Sequence, residues 1–103
     1  MNSKLKNQST DMLFEAILQL KTLDECYDFF EDLCTVPELR AMSQRLVVAR
    51  RLTQKMVYSA IVEETGASTA TISRVNRSLT YGCDGYKLVF DRMDKQNRED
   101  SNA

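Results

Sequence analysis

From Leu13 to Met93 the apolar residues of this chain recur three and four positions apart, and no segment alternates with the period of two that a half-buried strand requires. A chain patterned this way is expected to fold as an all-α protein. Leu13, Ile17 and Leu20, with Phe14 and Leu18, mark a first helix from Asp11. Thr22 with Glu25 three residues later has the form of a capping box. Leu23, Cys26, Tyr27, Phe30, Leu33 and Cys34 then form one stripe, opposite Asp24, Glu25, Asp28, Glu31 and Asp32. Thr35 and Glu38 repeat the start signal, with Pro37 in a first turn where proline is tolerated. The helix they open runs to about residue 54. Its apolar residues (Leu39, Met42, Leu46, Val47, Val48, Ala49, Leu52) spread around most of its circumference. Such a helix is central, and with so few helices available part of its surface needs a cover from outside the monomer. Two short helices, about 57–64 and 68–78, flank Gly66. After a loop from Thr80 to Gly85, a last helix carries Tyr86, Val89, Phe90 and Met93.

The 103 residues suffice for one domain, set here at 11–93. The polar stretches 1–10 and 94–103 are expected to be flexible tails. No apolar run approaches the roughly 20 residues that span a bilayer, and the polar start lacks the apolar region of a signal peptide, so the expected location is the cytoplasm, with no membrane partner. Cys26, Cys34 and Cys83 are an odd set without a CxxC pair, and the chain has no histidine. That argues against a disulfide framework, a zinc site, a Ser-His or Cys-His pair, and any enzyme; no metal or cofactor is expected.

The formal net charge is −1, but its distribution is uneven. Residues 11–38 hold eight carboxylates and one cation, Lys21. Residues 39–78 hold seven cations (Arg40, Arg45, Arg50, Arg51, Lys55, Arg74, Arg77) against Glu63 and Glu64. Phosphate binding needs a local positive face and not a positive total. Glu63 and Glu64 read as solvated surface.

The informative stretch is YSAIVEETGASTATISRVNRSL, Tyr58 to Leu79, within a helix-turn-helix placed at about 57–79. Gly66 sits where a left-handed turn is needed. Ser68 is a good N-cap for the second helix, and Ile61, Ala67, Ile72 and Val75 are spaced to pack the two helices together. The second helix presents Thr69, Ala70, Thr71 and Ser73 near its start, with Arg74 and Arg77 beyond. Short hydroxyl and methyl side chains allow close approach to base edges in a major groove, and arginines hold the backbone. Candidate DNA-binding residues are therefore Tyr58, Ser59, Ser68, Thr69, Ala70, Thr71, Ser73 and Arg77. Tyr58 reads equally as a phosphate contact or as surface packing. A helical hairpin that only packs is the competing reading of the stretch.

With these residues in view, Thr35 to Leu79 resembles the core of the Trp repressor family. The chain from about 11 to 93 is similar to its YerC/YecD subgroup, most specifically in GASTATISR and in the TxxELR…QR segment from Thr35 to Arg45. The resemblance implies an intertwined all-helical homodimer. It implies that two recognition helices enter successive major grooves roughly 34 Å apart on a near-palindromic double-stranded DNA site. It implies an effector pocket at Thr35, Arg45, Arg74 and Ser78, where the family repressor holds tryptophan. Here Val75 stands where that repressor has a glycine against the indole, and the loop near Lys55–Met56 is one residue shorter. Tryptophan is therefore a doubtful occupant, and Arg45 and Arg74 read equally as phosphate contacts or surface salt bridges. Two functions follow: a DNA-binding transcription regulator, expected to be a repressor, or a protein-interaction module that has kept the fold and lost specific DNA binding.

Overall fold

A computed structural model describes residues 4–102. Among them are six helices and no strand: α1 (Gln8–Ile17), α2 (Leu23–Leu33), α3 (Val36–Thr53), α4 (Tyr58–Thr65), α5 (Thr69–Tyr81) and α6 (Gly85–Ser101). The Thr35–Glu38 start signal acts as expected, whereas at Thr22 only half of the box forms, because the Glu25 carboxylate accepts from the Lys21 amide at 2.9 Å. The Thr22 side chain accepts from the Glu25 amide at 3.1 Å. Thr35 and Glu38 form a reciprocal box, at 2.8 Å from the Thr35 amide to the carboxylate and 3.2 Å from the Glu38 amide to the hydroxyl. Those bonds hold the Glu38 carboxyl below the usual range.

Helix extends past both expected tail boundaries. α1 begins inside the 1–10 stretch because Asn7 caps it, accepting from the Thr10 amide at 2.8 Å. α6 continues into the 94–103 stretch as far as Ser101, where Gln96 and Asp100 form an exposed i,i+4 pair at 3.0 Å. Arg98 in its last turn suits the negative end of the helix dipole. The tail expectation for residues 1–3 and 103 lies outside the described residues.

The chain divides into two compact units, Met1–Leu39 and Arg40–Ala103. In the first, neither α1 nor α2 buries a residue. Met12, Phe14, Leu18, Leu23 and Tyr27 are each more than half exposed. The second unit holds the core: Val48 and Ala49 of α3, Ile61 of α4, Ala67, Ile72 and Val75 at and within α5, and Phe90 of α6. Burying side chains of this kind stabilises by roughly 1.5–3 kcal/mol each for the larger ones. Tyr86 stacks on Phe90 with centroids 6.0 Å apart, and the Arg50 guanidinium lies 5.0 Å over the Phe90 ring. Arg50 also pairs with Asp94, joining α3 to α6 and holding the Asp94 carboxyl low. On the other sides of α3, Met42, Leu46 and Val47 remain about two-fifths exposed. The breadth of its apolar surface thus exceeds what one chain covers.

Among the described residues no helix is long and apolar enough to cross a membrane.

Candidate nucleic-acid interface

The turn between α4 and α5 is built from local bonds. Gly66 adopts φ 71, and its amide donates to the Val62 carbonyl at 2.9 Å, ending α4 in a left-handed cap. No heavy atom lies within 4 Å of where a Cβ on Gly66 would stand, so backbone conformation alone favours the glycine. The Thr65 hydroxyl donates to the Ile61 carbonyl at 2.7 Å and accepts from the Ala67 amide at 3.1 Å. Ala67 then buries itself, and Ser68 caps α5 by accepting from the Thr71 amide at 3.1 Å.

This geometry fixes which side of α5 faces in. Ile72 and Val75 are buried in the core. Ser68, Thr69, Ala70, Ser73, Arg74 and Arg77 are exposed. The expected outward group is thus brought together, with one exception. Thr71 is half-buried, and its hydroxyl accepts from the Ser68 hydroxyl at 3.1 Å, so it serves the cap. Tyr58 and Ser59 open α4, both exposed. Tyr58 lines a shallow groove of about 550 Å³ with Ser73, Arg74 and Arg77. Asn76, Thr80 and Tyr81 complete this groove. Sequence reasoning missed them, although their spacing from Ser73 and Arg77 on one helix would have found them.

The four effector candidates fall in both units. Thr35 lies in the first unit, its hydroxyl bonded to the Glu38 amide. Arg45 is exposed on α3. Arg74 lines the groove with Tyr58, whereas Ser78 lines a separate hollow of about 570 Å³ with Leu46, Cys83, Tyr86 and Val89. Val75, in the position that bears on tryptophan, is only 4% exposed and belongs to the core.

The basic segment is also narrower than its count of charges. Arg50 is paired with Asp94, and Arg51 is bonded through Nε and Nη2 to Glu64 at 2.9 and 2.7 Å. The Glu64 bonds raise the Arg51 pKa further. Glu64 is therefore an ion-pair partner and not merely solvated surface. Arg40, Arg45, Lys55, Arg74 and Arg77 remain as exposed cations. With the positive end of the α5 dipole, such cations suit phosphate oxygens. No group of three or more His, Cys, Asp or Glu side chains among the described residues could hold a metal ion.

Comparison with known proteins agrees with this architecture. The model of the family described as Trp repressor protein matches residues 8–94. An uncharacterised protein, YerC, from Bacillus subtilis (strain 168) is 52% identical over 98 residues, covering 95% of this chain and 94% of that one. The crystal structure of a TrpR-like protein from Eubacterium eligens superposes with a TM-score of 0.86 at 60% identity, covering 90% of this chain and 96% of the other. That of a proposed Trp repressor from Staphylococcus aureus gives 0.85 at 54% identity, with 88% and 91% covered. An all-helical fold, a glycine-turned helix pair with a polar outward face, and likeness along nearly the whole chain lead to one conclusion: this protein belongs to the Trp repressor family of DNA-binding regulators.

Proposed function

We propose that the protein is a cytoplasmic transcription repressor that binds a near-palindromic duplex site as a homodimer. The observation that carries this reading is the division of α5. Ile72 and Val75 lock one side into the core, while Thr69, Ala70 and Ser73 stand outward from its leading half and Arg77 from beyond it. A rigid rod so held offers short side chains to base edges and an arginine to the backbone.

The homodimer is supported by the apolar surface left over. α1 and α2 bury nothing, and Leu18 and Leu23 are 78% and 73% exposed. A second copy of the same helices is the cover proposed, and it sets the two α5 helices on one face. Thr35, Arg45, Arg74 and Ser78 are proposed to contact an effector completed across the dimer. With Val75 filling core space, that effector is not proposed to be tryptophan.

The exposed carboxylates of α2 (Asp24, Glu25, Asp28, Glu31, Asp32) favour a second reading, a protein-interaction module. Selection of bound duplexes from a random library, with and without an amino-acid pool, separates the two. The regulator reading expects enrichment of a two-fold symmetric site whose affinity falls steeply with salt. Binding at low salt no better than that of a neutral control protein contradicts it, and nuclease-insensitive capture of a protein through α2 replaces it. Arg77→Ala should weaken all duplexes alike and reduce the salt slope by about one.

A further inference from the structure

Two polar side chains on one face of α3 grip the end of α4. Gln44 Nε2 donates to the Thr65 carbonyl at 3.1 Å, in a half-buried bond. Two helical turns further on, Arg51 donates through Nε to both Glu64 oxygens at 2.9 Å and through Nη2 to one of them at 2.7 Å. Its Nη1 donates to Gln54 at 2.8 Å, which fixes the plane of the guanidinium. Glu64 and Thr65 are the last residues of α4, immediately before the left-handed Gly66. Both bonds therefore act where the chain swings from α4 into α5.

We infer that Gln44, Arg51 and Glu64 are positioning residues that set the direction of α5 for duplex binding, and that Arg51 is not itself a phosphate contact. The inference rests on the DNA-binding reading above. Its physical basis is directionality. Ile61, Ile72 and Val75 hold α4 and α5 through apolar packing, which is not itself directional, and the Gln44 and Arg51 bonds add a directional restraint at the turn. The Thr65 carbonyl lies in the last turn of α4, where carbonyls have no intrahelical partner, and Gln44 supplies one. A forked guanidinium–carboxylate pair fixes angle as well as distance, as a point charge does not. Residues 44 and 51, seven apart, share one face of α3, so the two bonds together resist tilt of α4 along that helix.

The test uses Glu64→Gln, which keeps shape and removes charge, Gln44→Ala, and the reversed pair Arg51→Glu with Glu64→Arg. Affinity is measured for a library-selected duplex and an unrelated duplex at one salt concentration, alongside amide hydrogen exchange over residues 65–70. Positioning predicts that Glu64→Gln weakens the selected duplex by about fivefold, near the most that a one-third-exposed pair supports. The unrelated duplex should change by less than about twofold, since phosphate contacts dominate there. Exchange after the turn should quicken in both single variants, and the reversed pair should restore protection and the ratio of the two affinities. A phosphate-contacting Arg51 predicts the opposite sign: Glu64→Gln frees the guanidinium and tightens both duplexes. That result, or two unchanged affinities, overturns the inference. If the parent protein binds no duplex, the DNA reading fails by itself. Exchange then decides the grip: quickening over 65–70 upholds it, and unchanged protection in both single variants ends it.

Discussion

The first two helices and the helix-turn-helix solve the same problem in opposite ways. α4 and α5 are short, yet with α3 and α6 they enclose Val48, Ala49, Ile61, Ile72 and Val75 almost completely. α1 and α2 are as apolar on one side and enclose nothing. The α4–α5 hairpin has its packing partner in its own chain, and its outward side is left polar. The α1–α2 pair covers its stripe only in part: Leu13, Ile17, Cys26 and Phe30 are half-buried, while Phe14, Leu23 and Tyr27 are more than half exposed. On the homodimer proposed above, the difference assigns stability and assembly to different segments. Disturbing the core should be felt at any concentration, whereas disturbing the first two helices should be felt through association.

The largest effect should come from breaking the second kind of surface. Leu18→Asp with Leu23→Asp removes two side chains that each contribute roughly 1.5–3 kcal/mol when buried by a partner. Sedimentation at low micromolar concentration should show the parent as a dimer and the variant as a monomer with reduced helicity. A parent that sediments as a compact monomer erases the contrast drawn here. Next in size is Ile72→Ala, expected to cost about 2–5 kcal/mol through lost transfer energy and a residual cavity. Its loss should appear in thermal unfolding and be nearly independent of protein concentration. Gly66→Ala should cost about 1–2 kcal/mol, because the left-handed backbone at φ 71 penalises a Cβ even where space is open.

The smallest effect concerns protons. Arg50 depresses the Asp94 carboxyl, and the Thr35 amide depresses that of Glu38. A carboxylate depressed in the folded state contributes stability that is present above its unfolded pKa of about 4. That contribution disappears as pH falls through the lower folded value. Thermal unfolding followed from neutral pH to pH ~3 should therefore show a shallower acid loss for Asp94→Asn than for the parent. Identical slopes would remove any role for the α3–α6 ion pair in this dependence.

What could be read in advance was what neighbours in sequence decide. The glycine cap at Gly66, the serine cap at Ser68 and the Thr35–Glu38 box are local devices, and each stands where its pattern placed it. The outward group on α5 follows from a 3.6-residue period once Ile72 and Val75 are taken as inward. Pairings between distant residues were not legible. Arg51 with Glu64 and Arg50 with Asp94 are separated by 13 and 44 residues, and each removed a cation from the expected basic face. That Thr71 is only half exposed was not legible either, because the Ser68–Thr71 hydroxyl bond depends on rotamers. The left-handed Lys55 and Asp84 bracket the second unit's loops without the glycine that usually announces such turns.

The most direct test of the outward-facing α5 is amide chemical-shift mapping of the isotope-labelled protein against a library-selected duplex. The account predicts perturbations concentrated at Tyr58, Ser59 and Ser68 to Arg77, with the acidic side of α2 unmoved. Perturbations centred on Asp24 to Asp32, or silence at Thr69, Ala70 and Ser73, would contradict it.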